Sequence, residues 1–432
     1  NLICNFATEL IIKNFMTAEL QKKKEEIYLN VLKQLNETFD SENFDEETLT
    51  NKVYPSSEEL DLKRPSFTFK RYLYKGDRLY VKLPLFWEGD VPKVGTEILD
   101  WGYSLTTMIS WGETSTEKED GLNKWKVEMR MKGINPDEYS QERADYGTLM
   151  HYTFSLLLND FEFNKESFEK DLYSKALEDK VLRKTRLVFI IEKYRVHLWN
   201  ALIGFCKFVS DFGVTPIATE LVVMDKNYLA ATPIDLLCVI KEPVKIKVLV
   251  PTGEVYLRDG KNGAKKGDPK MKEKIFIVPQ EKLAIIDFKS GTKGFYNSYY
   301  YQLNWGSHML KETYGIEVEA LFNYSPKDEM STKYKIKKQT DNEKLDTLLP
   351  FVKETSCLHL MDKFKNGIDI FNDDLDKSKV ITMKSISYNS QKEDYKIVGD
   401  EVVLEDGYSF NYKDILEKNG FTTDTEGEEG EQ

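Results

Sequence analysis

Four apolar residues, Leu283-Ala284-Ile285-Ile286, run directly into an acid and a base one residue apart, Asp287 and Lys289, before Ser290-Gly291 closes the segment. An unbroken apolar run of this length, ended by a turn signal, reads as a strand covered on both faces. The chain must then supply cover for two sides of a sheet. Residues i and i+2 of a strand project to the same face, so Asp287 and Lys289 emerge together at its tip. Such a pair is either a structural ion pair or half of a reactive site, and the stretch alone does not choose.

The cover is legible in the periodicity. Ile27, Val31 and Leu35 predict a helix over 17–35. A second helix is expected to begin near Pro136 or Asp137 and run through "YGTLMHYTFSLLLND". A third, over 184–210, carries one stripe from Leu187 through Ile191, Tyr194, Leu198, Leu202 and Phe205 to Val209. "PIATELVVM" and "YLAATPIDLLCVI", joined by Asp225-Lys226-Asn227, read as a hairpin. After the opening strand come a helix over "YNSYYYQLNWGSHMLKETYG" and a strand over "EVEALFNYSP". Residues 64–86 look extended about a turn at Lys75-Gly76-Asp77, 98–135 are mixed, 343–366 look helical and 378–413 strand-rich. The order predicts a mixed α/β (α+β) fold, a central mixed sheet flanked by helices, with a helical N-terminal region and a small C-terminal appendage.

At 432 residues the chain has room for two or three domains. No apolar run reaches the roughly 18 residues of a membrane span, and the opening "NLICNFATELIIKNF" contains Glu9 and Lys13 and lacks the build of a secretory signal. Met16 is a candidate start. Cys4, Cys206, Cys238 and Cys357 form no C-x-x-C, which suits a reducing cytoplasm and argues against an iron–sulfur cluster. A net charge of −12 argues against broad adhesion to polyanions. The charge is uneven: 422–432 and "DSENFDEE" are acidic, whereas 258–274 holds seven Lys/Arg against three acids. Any nucleic-acid contact is therefore expected to be local.

Asp235 and Glu220 are lone acids in apolar strands. An isolated buried carboxylate is costly unless paired or metal-bound. Three acids on neighbouring strands, Glu220, Asp235 and Asp287, would repel one another without a cation, and hard oxygen donors suit Mg²⁺ or Mn²⁺. Lys289 beside them would orient a water and offset charge on a phosphate. Each residue has a structural alternative as well. His151 can be a core histidine, Glu220 a structural acid, Asp235 a turn cap, Gln302 a surface residue, and the tyrosines near 299 core.

Taken in order, these residues resemble the PD-(D/E)XK nucleases. Asp235 in "PID" and Asp287-Phe288-Lys289 match the pattern that names the family. "YGTLMH" is similar to the G-T-x-x-H helix of the RecB-type and phage-exonuclease branch, "YSLTTMIS" with "GLNKW" to the segment before it, "LVVMDKNYLAATPIDLL" to its hairpin, and Gln302 to its Q-x-x-x-Y glutamine. The resemblance covers about 100–325. Gly306 stands where the motif has tyrosine, Ala231 replaces a glycine, and Asp287 follows Asp235 only after 52 positions. No phosphate loop is present, so no ATP use is expected.

The resemblance implies a restriction-endonuclease-like core over 98–330 with an inserted basic hairpin at 241–282, preceded by 1–97 and followed by an appendage at 331–421 and an acidic tail at 422–432. It implies an Mg²⁺- or Mn²⁺-dependent deoxyribonuclease of the cytoplasm, or of a host's cytoplasm if phage-encoded. An exonuclease of replication or recombination comes first, with a recombination or replication protein as a possible partner. An endonuclease on the same core, or a catalytically silent DNA- or partner-binding protein, is the alternative. His151, Asp235, Asp287 and the Phe288 carbonyl would hold one or two ions, Glu220 would assist, Lys289 would position water and Gln302 would orient the phosphate or Lys289. Lys261, Lys265, Lys266 and Lys270 in the insertion are expected to meet DNA, on a loop leaving and rejoining the sheet close to the metal site.

Overall fold

The computed structural model describes residues 18–38, 46–47, 52–54, 60, 62–74, 77–113, 116–159, 164–177, 181–260, 263–291, 294–368, 395–398, 401–404 and 409–411. Cys4, Met16, Lys261, the turn residues 75–76 and the tail 422–432 lie outside them. In chain order the elements are α1 (Ala18–Thr38), β1 (Glu46–Glu47), β2 (Lys52–Val53), β3 (Phe67–Tyr74), β4 (Asp77–Glu88), β5 (Val91–Val94), β6 (Asp100–Ser104), α2 (Leu105–Gly112), α3 (Thr116–Met131) and α4 (Pro136–Asn159). There follow α5 (Lys165–Leu177), α6 (Val181–Asp211), β7 (Thr215–Asp225), β8 (Ala230–Val255), β9 (Pro269–Phe288), α7 (Asn297–Tyr314), β10 (Ala320–Pro326), β11 (Tyr334–Lys338), α8 (Glu343–Lys363) and β12–β14 (Tyr395–Val398, Glu401–Leu404, Ser409–Asn411). No described helix is long and apolar enough to cross a membrane.

The fold is mixed α/β around a mixed sheet. Its backbone order is β1-β3-β4-β6-β8-β9-β10-β11, with β7 on the other edge of β8, β2 on β7 and β5 on β4. Strands β12–β14 form a separate antiparallel sheet. The two-faced burial expected of 283–286 is present. Ile285 packs in a core with α1, α2, α7 and α8. Ala284 and Ile286 pack in a second core with α4, α5 and α6. Alternation along one strand thus feeds two helical layers, which is why nearly every residue of β8 from Leu236 to Ile240 and of β9 from Ala284 to Ile286 is apolar.

Strands from the N-terminal region belong to this same sheet: β4 pairs with β6 from Leu79↔Tyr103 to Lys82↔Asp100. Helix α8 likewise packs onto the core, where Ser356 Oγ donates to the Met108 carbonyl at 2.6 Å. Gly102 sits where β6 meets β8. A Cβ there would sit 2.9 Å from the Ala231 Cβ, so glycine is what lets β6 reach β8.

Candidate functional site

Strand β8 has two edges, and β7 occupies one of them from Ala230 to Val239. Both β6 and β9 must therefore use the other. β6 pairs in parallel with Ala230 and Ala231, and β9 pairs antiparallel from Leu236 onward. The two strands thus point their C-terminal ends at each other across Thr232, Pro233 and Ile234. Pro233, which has no N–H to offer, falls within this gap. The gap is the floor of a cleft of about 200 Å³, walled by Arg78, Ser104, Thr106, His151, Asp235, Asp287, Lys289, Gln302 and Gly306 among others.

Three ligand-type side chains meet here. His151 on α4, Glu220 on β7 and Asp235 on β8 each place one donor atom within 4.8 Å of the other two. The His151 Nδ1 lies 3.6 Å from Asp235 Oδ1, and its Nε2 lies 3.2 Å from the Phe288 carbonyl. The Phe288 N–H donates to Asp235 Oδ2 at 2.6 Å, which ties β9 to β8 at the site. Glu220 has φ +53°, one of two non-glycine residues in the left-handed region among those described. Thr219 pairs with Leu236 and Leu221 with Ile234, so Glu220 stands opposite Asp235 and its backbone departs from strand geometry at that point. A non-glycine residue held this way costs on the order of 1–3 kcal/mol. The cost is offset by the packing on both sides, and the result is two carboxylates on one face. Loss of solvation and then repulsion from Asp235 push the Glu220 carboxyl up to about 7, against opposing pulls from His151, Arg71 and Arg78. Two carboxylates and a facing carbonyl are hard oxygen donors of the kind Mg²⁺ or Mn²⁺ takes, with the imidazole as one softer nitrogen donor beside them.

Asp287 and Lys289 form a second group beside the first. Lys289 Nζ donates to Asp287 Oδ1 at 2.8 Å and to Gln302 Oε1 at 2.7 Å, and lies 4.5 Å over the Tyr299 ring. Gln302 Nε2 in turn donates to Thr106 Oγ1 at 3.0 Å. The other Asp287 oxygen accepts from Asn323 Nδ2 at 2.6 Å, and Asn323 accepts from Gln339. Desolvation raises the Asp287 carboxyl, with Lys289 pulling the other way. For Lys289, desolvation lowers the ammonium, but attraction to Asp287 and then Asp235 outweighs it and the net shift is upward. Both oxygens of Asp287 are thus held by protein donors, and it is not one of the three clustered ligands.

The structure therefore brings His151, Asp235, Asp287, Phe288, Lys289 and Gln302 to one cleft, with Glu220 against His151 and Asp235. Sequence reasoning missed Arg78, Asn323 and Gln339. Asn323 lies in "EVEALFNYSP" as the one amide in an apolar strand, which was a usable signal. The basic insertion is elsewhere. Its expected return beside the metal site is overturned by the register: β8 and β9 stay paired from Leu236↔Ile286 to Pro251↔Met271 and run away from the cleft. Lys265, Lys266 and Lys270 follow beyond that ladder, about 50 Å from Asp235 at ~3.3 Å per residue; the reason is that the insertion prolongs the far ends of these strands.

At Gly306, where the motif carries tyrosine, a Cβ would meet nothing within 4 Å. Gly306→Ala is expected to stabilise the protein by about 1 kcal/mol through helix propensity alone, read as a higher melting temperature. No protein-family model matches the chain, and a search of the curated proteins finds no match.

Proposed function

We propose that the chain is an Mg²⁺- or Mn²⁺-dependent deoxyribonuclease built on a restriction-endonuclease-like core, acting first as an exonuclease in DNA replication or recombination. The observation that carries this reading is the clustering of His151, Glu220 and Asp235 beside the cleft that the Asp287–Lys289 pair lines, at the convergent ends of two strands. His151, Glu220, Asp235 and the Phe288 carbonyl would hold the metal. When bound, it supplies Lewis acidity and eases deprotonation of water.

The chain's own residues do the rest. Lys289 presents a fixed ammonium to the attacking oxygen and to charge developing on the phosphate. Gln302, bridging Lys289 and Thr106, fixes that ammonium in place. The N-terminus of α2 opens onto the cleft at Ser104 and Thr106, and its free N–H groups favour an anion there. Arg78 adds positive charge to the lining. Asp287, capped by Lys289 and Asn323, positions the lysine.

The test is incubation with 5′- and 3′-labelled duplex and single-stranded DNA, with and without Mn²⁺. Release of short products from linear DNA only, with covalently closed circles intact, is the expected result. Cleavage of circles would replace exonuclease by endonuclease. Metal binding without any hydrolysis would replace both by a silent DNA- or partner-binding protein.

A further inference from the structure

Where β9 ends, the sheet stops holding the chain. Pairing with β10 runs out at Phe288↔Tyr324, and one further bond, from the Lys289 N–H to the Tyr324 carbonyl at 2.8 Å, closes the ladder. Ser290 and Gly291 follow without regular structure. The Lys289 ammonium must nevertheless keep its aim between Asp287 and Gln302. A side chain is aimed only as well as the backbone beneath it is fixed.

Helix α4 supplies the hold. Arg143, Gly147 and His151 stand four residues apart and so share one face of the helix. That face follows the end of β9 step by step. His151 Nε2 lies 3.2 Å from the Phe288 carbonyl, and Arg143 Nη2 donates to the Ser290 carbonyl at 3.2 Å. Between these two contacts Gly147 lies against Ser290. A Cβ on it would sit 3.3 Å from Ser290 Oγ and 3.7 Å from Ser290 Cβ. The residues on either side of Lys289 are thus both held from α4.

Arg143 is itself fixed. Its Nη1 donates to Glu329 Oε1 at 2.7 Å, and its guanidinium lies 4.5 Å over the Tyr146 ring. The Glu329 carbonyl in turn accepts from Asn200 of α6 at 3.5 Å. A planar fork can make both hydrogen bonds and stack at once, whereas a lysine ammonium offers a point charge. Arg143 is not among the residues lining the cleft, so it reaches the chemistry only through Lys289.

The geometry points to Arg143 as a positioning residue for Lys289, with Gly147 as the gap that lets the Ser290 segment seat against α4. Its kinetic consequence rests on the nuclease reading; the clamp does not. A strut that merely joined α4 to the segment after β10 would need neither the bond to Ser290 nor a bare Cα at 147. Glycine inside a helix costs about 1 kcal/mol against alanine. The close approach of Ser290 is what that gap serves.

The test combines single-turnover cleavage, Mn²⁺ titration, melting and amide exchange over 287–291, all on the full chain. Arg143→Met and Arg143→Lys are expected to bind Mn²⁺ as wild type does and to half-saturate at the same concentration. Their maximal rate should fall about tenfold, the scale of a misplacement below 1 Å, with protection of 287–291 lost. Glu329 stays hydrated when its partner goes, its side chain being 38% exposed. Gly147→Ala should melt at or above wild type, since alanine is the better helix former, and yet lose about threefold in rate. Adding Ser290→Ala leaves only the ordinary 3.7 Å contact and should restore the rate of Ser290→Ala alone. An Arg143→Met variant at wild-type rate overturns the proposal, as does a Gly147→Ala loss that Ser290→Ala leaves in place. So does a fall in Mn²⁺ affinity that accounts for the lost rate. If wild type cleaves no DNA, the nuclease reading falls and exchange alone decides the clamp. Protection lost in Arg143→Met then upholds it, and protection unchanged ends it.

Discussion

Lys289→Met is expected to cut DNA cleavage by at least about 10²–10³-fold, the scale of removing one preorganised donor to developing charge. Two directions of the ammonium are committed, to Asp287 and Gln302, so the remaining one is aimed rather than free. The complication is structural: removing one partner of a buried pair leaves the other charge uncompensated, which costs about 3–5 kcal/mol if the carboxylate stays ionised. Asp287 is already biased toward its neutral form by desolvation, which lessens the penalty. The double variant Lys289→Met/Asp287→Asn removes it, because Asn323 can still meet an amide oxygen at 287. Melting and metal titration of both variants, run with single-turnover cleavage, separate folding from chemistry. A double variant that folds and still cleaves within about tenfold of wild type would remove Lys289 from the mechanism.

Metal-free protein is expected to lose stability as pH rises from about 5 to 8. Glu220 moves from an ordinary 4.5 to about 7 in the folded chain. A carboxyl with a raised folded value binds its proton more tightly when folded, so its penalty is absent below the unfolded value, grows across the interval and is complete above the folded one. The difference corresponds to at most about 3 kcal/mol. Desolvation raises Asp287 in the same direction, so part of the slope survives in Glu220→Gln. Lys289 adds to the loss in the same direction, but only at alkaline pH, where its raised value lets stability go. Denaturant unfolding in chelator at pH 5, 6.5 and 8 reads this directly. Added Mn²⁺ should abolish the loss, since a cation compensates both carboxylates. Equal slopes in wild type and Glu220→Gln would mean that Glu220 carries no such burden.

Much of this was readable beforehand where periodicity is strong. The stripe from Leu187 to Val209 became α6, Val181–Asp211, and Gly315 terminates α7 in the left-handed conformation at φ +73°. The lone acids of β7 and β8 were legible because an apolar strand tolerates a carboxylate only for a reason. Three things were not. Helix α5 hides a usable signal, Phe168, Leu172 and Ala176, inside a stretch dominated by charge. The left-handed Glu220 is a tertiary strain with no local sequence mark. The path of the insertion was misjudged because composition identifies a hairpin but not the end of the sheet from which it leaves; only the pairing register does that.

The direction of that departure has a consequence for how the chain can change. Lengthening or shortening the β8–β9 ladder beyond Lys241↔Glu281, an arm on the sheet, moves nothing within reach of the cleft, provided both strands gain or lose residues together. A matched change keeps the ladder intact, while an unmatched one creates a bulge or turns every distal side chain to the other face. The far end of the ladder is accordingly a natural place to insert residues. A foreign domain inserted beyond the Pro251↔Met271 pair would leave Asp235 and Asp287 on strands whose pairing is still set by β7 and β10. Arm length is thus a coordinate along which the chain can drift or be engineered independently of its chemistry.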